Sequence, residues 1–344
     1  LINLTSLARM GGCSCKLAAD ELAEVCSIPE LDNVRLPGLT PDDAAILPLE
    51  NGAALVTTID FQNVVVDDAV MAGEIAAKNA LSDIFACGVK PMYADVVLVL
   101  PYGDEAVAVG KSLMRGLALA CEQEGCAIVG GHTIRGETPI VGLAVTSVAS
   151  MAHVKRKSGA LPGDALILTK PLGNGIAVAA WQQGVMSEAD HREALSVLRR
   201  SNRVGLRLGP LPGVTAMTDV TGFGLLGHMS EVAKESGVTL RLHAGKVPIL
   251  PGVMNAVREG AVPRLAEANL RTYREGVRFA GAACSAEMQL LLCDPQTNGG
   301  LLVAVRPEAL PEVLSVPRIE GGGAWTVGDI AARHADGHFV EIVD

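Results

Sequence analysis

The chain runs to 344 residues, about two domains at the usual ~150 residues each. Hydrophobic residues make up 49% and charged residues 19% of it, which excludes disorder as the general state. The formal net charge is −10, and no Lys/Arg run exceeds Lys155-Arg156-Lys157, so nucleic-acid binding through general electrostatics is disfavoured. Mean hydropathy is +0.34, yet the longest charge-free apolar stretch, 138–152, is shorter than the roughly 20 residues a membrane-spanning helix needs, and no membrane association is expected. No basic segment precedes a continuous apolar stretch, so no secretory signal is expected and the cytoplasm is the expected compartment. Eight cysteines in so long a chain do not make a disulfide scaffold; most are expected as core filler.

In chain order, residues 1–37 hold Gly11-Gly12, the closely spaced Cys13 and Cys15, Pro29 and Pro37, with one periodic stretch at 17–26. This segment reads as a mobile arm. Residues 53–59 are a β-rich run, and 70–87 place apolar residues at helical spacing. Residues 92–100 form an apolar run between two prolines, 104–123 read as a helix with an acidic start, and 127–129 and 140–149 read as strands. A basic, Gly- and Pro-punctuated stretch at 155–163 marks a boundary. The expected divisions are the arm 1–37, an N-terminal domain 38–157 and a C-terminal domain 158–344. In the last of these, 165–169, 238–242, 300–305, 325–330 and 339–342 read as strands, and 175–183, 188–208, 225–236 and 307–314 as helices. Strands and helices mix without strict βαβ alternation, which favours the α+β class. There is no internal repeat.

Three features could carry chemistry. In Gly11-Gly12-Cys13-Ser14-Cys15-Lys16, an ammonium beside a thiol in glycine-flanked backbone suits a reactive thiolate; the alternative is a terminus with incidental thiols. A zinc site from Cys13, Cys15 and Cys26 lacks a clear fourth ligand. Carboxylates interrupt or end apolar segments at Asp42-Asp43, Asp60, Asp83 and Asp219. A half-buried carboxylate needs a partner, and magnesium, a hard cation that bridges carboxylates to nucleotide phosphates, is a suitable one; caps, turns and salt bridges are the alternatives. Finally, glycine loops occur at Gly130-Gly131-His132-Thr133, Gly222 to His228 and Gly299-Gly300. A glycine loop entering a helix offers N–H groups to phosphate. The G-F-G-L-L-G run at 222–227 follows no strand and lacks the distal acidic residue of a dinucleotide fingerprint, so close helix packing explains it equally well. His132 and His228 could be ligands or bases, or could simply cap and pack.

The ordered set G-G-C-S-C-K, P-D-D-A-A, T-T-I-D, N-A-L-S-D-I-F-A-C-G, G-G-H-T, T-K-P-L-G, A-M-T-D-V-T-G-F-G-L-L-G-H and C-D-P-Q-T-N-G-G resembles the selenophosphate synthetase family, and the match runs from Cys13 to about Val305. Several of these motifs are shared with a wider ATP-binding superfamily; the Cys-x-Cys-Lys arm singles out the selenium enzymes. The resemblance implies two α+β domains of α/β-sandwich type, the N-terminal ones pairing into a shared β-barrel in a homodimer. It implies synthesis of selenophosphate from selenide, ATP and water, releasing AMP and phosphate; the alternative is a related ATP-dependent kinase or ligase with another acceptor. The family's reactive Cys or selenocysteine falls on Cys13 and its essential Lys on Lys16. Magnesium ligands fall on Asp43, Asp83 and Asp219. Nucleotide contacts fall on Lys16, Thr40, Pro41, Asp42, Asp60 and Asp83, with Gly130, Gly131 and His132 reaching the nucleotide from the second subunit. A selenium-delivery protein is a further expected partner.

Overall fold

A computed structural model describes residues 3–7, 11–32, 34, 42–281, 285–319 and 322–344. Thr40 and Pro41 of the expected nucleotide contacts lie outside these residues. Two sheets organise the rest. In the first, β1 (Ala45–Pro48), β2 (Ala53–Asn63), β3 (Tyr93–Leu100), β4 (Ala127–Arg135) and β5 (Ile140–Ser150) are ordered β1-β2-β5-β3-β4. All neighbours are antiparallel except β3 and β4. The second sheet comprises β6 (Ala165–Leu168), β7 (Val214–Asp219), β8 (Val238–His243), β9 (Val277–Phe279), β10 (Leu301–Val305), β11 (Trp325–Ala332) and β12 (Val340–Val343). Its order is β7-β10-β6-β11-β8-β12-β9, with β12 parallel to both its neighbours. The mixed α+β class expected from the sequence is the one observed.

The Ala69–Ala86 helix forms because its alanines favour the helical state and Asp68 caps its start, accepting from Met71 N at 2.9 Å. It ends at Cys87, before Gly88 with φ +70°. Ile75, Leu81, Ile84 and Phe85 are buried to within 1%, and each stabilises the fold by about 1.5–3 kcal/mol. The helix packs on β2 and β5 of the first sheet beside the Ala106–Glu124 helix, which packs on β3 and β4, and it also touches β7 of the second sheet. In β2 the period-2 alternation sends Val56, Asp60 and Gln62 inward while Ile59 and Phe61 stay exposed. The sheet thus turns Asp60 toward the helix that carries Asn79 and Asp83. Among the described residues no helix is long and apolar enough to cross a membrane.

Several elements differ from expectation. The run at 53–59 continues to Asn63, so Asp60 stands within the strand and not at its end. The strand at 127–129 continues to Arg135, which places Gly130-Gly131-His132-Thr133 in extended edge backbone where a loop was expected. Gly131 has φ +149°, and a β-carbon there would overlap the backbone of Val96; glycine lets the edge strand approach closely. The helical stretch at 188–208 is two helices, Glu188–Leu198 and Gly205–Leu208. Strands β1, β7 and β9 and the helices Val253–Arg258, Arg264–Tyr273 and Ala286–Leu292 were not anticipated.

The two long helices of the N-terminal unit meet through glycine. A β-carbon on Gly116 would overlap the Val70 carbonyl and one on Gly73 the Leu113 carbonyl. Gly116→Val should therefore destabilise the protein by about 1–3 kcal/mol through overpacking, measured by urea denaturation, whereas Gly245→Ala, where a β-carbon meets nothing within 4 Å, should leave the transition midpoint in place.

Candidate active site

Five of the expected acidic residues converge where the Ala69–Ala86 helix meets the first sheet and β7 of the second. Asp42 and Asp43 precede β1, Asp60 projects inward from β2, Asp83 lies on the Ala69–Ala86 helix, and Asp219 ends β7. Asn79, Ser82 and Asp83 fall at i, i+3 and i+4, on one face of that helix. Thr58 Oγ1 donates to Asp83 Oδ2 at 2.6 Å, Ser82 Oγ donates to Asp219 Oδ2, and Thr218 Oγ1 donates to Asp43 Oδ1 at 2.8 Å. Asp42 Oδ1 accepts from the backbone N–H of Asp43 at 3.1 Å and of Lys157 at 3.2 Å.

Burial and mutual repulsion govern the electrostatics. Desolvation, then the charges of Asp219, Asp60 and Asp43, holds Asp83 well above the ordinary carboxylate range. Desolvation and Asp43 push Asp219 up to about 7, against the Ser82 hydrogen bond, and desolvation with Asp43 pushes Asp42 up to about 6. Cations supply the opposing charge. Lys157 Nζ lies 3.1 Å from Asp43 Oδ1 and 2.7 Å from Glu231 Oε2. Lys16 Nζ lies 3.1 Å from each oxygen of Asp60. Burial opposes the Lys16 charge, but Cys13, Asp60 and Asp83 together raise its pKa above the usual lysine value.

The N-terminal segment is held in this cleft. Gly12 N donates to Asn63 O at 3.0 Å, as an isolated bridge to β2. Cys13 N donates to Thr297 Oγ1 at 3.0 Å, and Cys13 Sγ donates to Asn79 Oδ1 at 3.6 Å. Asn79 in turn donates to Asp60 Oδ2 and accepts from Asn298 N at 2.6 Å. Gly222, from the G-F-G-L-L-G run, abuts the Lys16 side chain, and a β-carbon there would come within 2.9 Å of Lys16 Cδ. Cys13 is wholly buried, and desolvation, partly opposed by Lys16, pushes its thiol up to about 12. As docked, Cys13 is a protonated thiol at neutral pH, not the activated thiolate that its lysine neighbour suggested.

Asn79, Ser82, Thr218, Thr297 and Lys157 are site residues that the sequence reading did not assign. The signal for the first two was their helical spacing with Asp83. Asp294 shapes the loop that delivers Thr297: its Oδ2 accepts from Gly175 N and Ile176 N at 3.1 and 3.2 Å and from Gln296 Nε2 at 2.7 Å. His228 is a packing residue: its Nε2 accepts from Thr221 N at 3.0 Å, and burial pushes its pKa down to about 3. Gly130, Gly131 and His132 are not brought to the cleft. The register runs Asp60, Leu143, Val96, Gly131 across the sheet, which puts Gly131 three strand spacings, about 14 Å, from Asp60.

Among the described residues no three His, Cys, Asp or Glu side chains are gathered closely enough to hold a metal ion as they stand. The donor set nevertheless suits a hard divalent cation. It consists of carboxylate oxygens, it is crowded enough to repel itself, and Asp43 Oδ2 is buried with no hydrogen-bond partner.

Comparison with known proteins places the chain among relatives. The model for "AIR synthase related protein, N-terminal domain" matches residues 41–149, and that for the C-terminal domain matches 162–341. The selenide, water dikinase of Haemophilus ducreyi is 37% identical over 346 residues, covering 99% of both chains. That of Photorhabdus laumondii is 38% identical over 345 residues, covering 99% of this chain and 98% of the relative. Among solved structures, thiamine-monophosphate kinase from Stenotrophomonas maltophilia superposes with a TM-score of 0.66 at 21% identity, covering 91% of this chain and 93% of that one, a likeness of fold.

Burial and protonation both shield Cys13. Site-resolved mass spectrometry after brief iodoacetamide treatment at pH 8 should find Cys13 labelled far more slowly than the partly exposed Cys26, with the Cys13 rate climbing as pH rises because the reactive thiolate becomes more populated. Equal labelling of the two would contradict the docked arrangement.

Proposed function

The chain belongs to the selenide, water dikinase family of AIR synthase related proteins, and we propose that a closing thiol-and-lysine arm and a cation-loaded carboxylate pocket share its chemistry. The protein is an ATP-using enzyme that makes selenophosphate from selenide and water, with AMP and phosphate as the other products. The observation that carries the assignment of roles is the docking of Cys13 and Lys16 against Asn79, Asp60 and the Asp83 side of the cleft.

An ATP triphosphate carries about four negative charges, and it can meet a pocket of carboxylates only through divalent ions. In this reading Asp43, Asp83 and Asp219 hold magnesium, which supplies charge neutralisation and polarises phosphoryl oxygens when bound. Lys16, already paired with Asp60, has a cation to offer the phosphates and adds charge stabilisation in the transition state. Asp42, Asp60 and Asp83 orient the nucleotide, together with Thr40 and Pro41. Cys13 carries selenium to the γ-phosphoryl group, and it must leave its buried position or be deprotonated there to do so.

Residues 1–37 are the arm, 38–157 the nucleotide-binding unit and 158–344 the C-terminal unit in this scheme; the separate sheets on either side of residue 157 support the division. A homodimer formed through the first sheet is supported by its uncovered apolar face, where Ile59, Phe61, Val129, Ile134 and Val148 are between 47% and 60% exposed. The separation of Gly130, Gly131 and His132 from Asp60 supports their serving the nucleotide of the second subunit. A cytoplasmic setting, where the buried thiols Cys87, Cys121 and Cys293 stay reduced, and a selenium-delivery protein complete the reading.

Phosphorus NMR of the reaction with ATP, magnesium and selenide reads the product and the fate of each phosphate. Cys13→Ser and Lys16→Ala should each lower selenophosphate formation by about 10²-fold or more with unchanged circular dichroism; wild-type product from both would remove the arm from the chemistry. Asp219→Asn should weaken magnesium-dependent nucleotide binding in equilibrium dialysis, and unchanged binding would take Asp219 out of the metal set.

A further inference from the structure

Lys157 stands where the chain passes from the first sheet to the second, and its backbone is tied down on both sides. Its N–H donates to Asp42 Oδ1 at 3.2 Å, its carbonyl accepts from Ser236 Oγ at 3.3 Å, and the carbonyl of Arg156 before it accepts from Met217 N in β7 at 3.0 Å. What remains free to move is a flexible four-carbon stem carrying a point charge. Its Nζ sits between two carboxylates, 3.1 Å from Asp43 Oδ1 and 2.7 Å from Glu231 Oε2 on the Gly224–Ser236 helix. Asp43 is buried at 3% side-chain exposure, whereas Glu231 is 29% exposed. The ammonium thus has one dry partner and one wet partner.

Asp43 is engaged through one oxygen. Its Oδ1 meets Lys157 and accepts from Thr218 Oγ1, and its Oδ2 is buried with no hydrogen-bond partner. Asp43 also acts electrostatically on both Asp83 and Asp219, so the three carboxylates share one field. An ammonium about 3 Å from a carboxylate and a divalent ion on that same carboxylate repel each other, and the two therefore compete. Movement toward Glu231 relieves the repulsion and keeps one ion pair, whereas escape into water would break both. We propose that Lys157 is a resident counter-cation, a positioning residue that holds Asp43 while the carboxylate pocket lacks a divalent cation and withdraws to Glu231 when one binds. This inference rests on the reading of Asp43, Asp83 and Asp219 as the magnesium-binding set.

The test titrates manganese(II), a paramagnetic stand-in for magnesium, into the nucleotide-free full chain and reads the unbound ion by electron paramagnetic resonance. Asp43→Asn should weaken binding. Lys157→Gln should tighten it about fivefold or more, Lys157→Arg, which keeps the charge, should not tighten it, and Glu231→Gln should weaken it about threefold because the ammonium is then left with Asp43 alone. In the Lys157→Gln background, Glu231→Gln should change nothing, since Glu231 acts through the lysine. Equal or weaker binding by Lys157→Gln, or a Glu231 effect that survives loss of the lysine, would overturn the counter-cation role and leave the metal reading standing; binding indifferent to Asp43→Asn would overturn both. Should Lys157→Gln fail to fold, Glu231→Gln decides alone, and unmoved or tighter binding sinks the proposal.

Discussion

Concentrated negative charge in a space largely closed to water is the constraint around which this molecule is arranged. Asp60, Asp83 and Asp219 are placed there by ordinary secondary structure, a strand's alternation, a helical turn and a strand's end, and Asp42 and Asp43 by the segment that leads into β1. The protein alone does not neutralise them. Lys157 serves Asp43 and Lys16 serves Asp60, while Asp83 and Asp219 are left with hydroxyl donors and raised pKa values. Such a concentration of charge is costly on its own and favourable to pair with cations, which is the property the proposed nucleotide pocket requires.

Asn79 is the junction of the design. One amide side chain faces Cys13 Sγ, Asp60 Oδ2 and Asn298 N, so it reads the N-terminal segment, the first sheet and the Thr297–Gly300 loop together. Asn298 has φ +48°, a left-handed conformation that asparagine tolerates better than most residues, and that turn aims its N–H at Asn79. Thr297 completes the cradle from the same loop.

Much of the fold was legible because its signals were local. The alanine-rich periodicity of the Ala69–Ala86 helix and the β-branched run of β2 stand out, and Asp83 betrayed itself as a charge inside an apolar helix. What was missed depended on contacts distant in sequence or on misleading composition. The β7 strand reads Val-Thr-Ala-Met-Thr-Asp and carries no clean period-2 alternation, so it gave no strand signal; Gly130 and Gly131 resembled a loop because glycine is rare in strands, yet an edge strand closely paired on one side requires it. The site's carboxylates were readable as buried groups in need of partners, but their partners were not. Thr297 lies 284 residues from Cys13, and no periodicity reports such a meeting. The lysine beside Cys13 suggested an acidic thiol, whereas burial dominates and drives the thiol the other way.

That separation has a consequence for biogenesis. A ribosome synthesises Cys13 early and the Thr297–Gly300 loop only after four strands of the second sheet, with β10, β11 and β12 still to come, so during translation the thiol has none of its loop partners and is reachable by metals and oxidants. Chains truncated before the loop would carry the carboxylates of the first sheet and an unsheltered cysteine. Completion of the polypeptide, through the last strands of the C-terminal unit, is what first sequesters the sulfur.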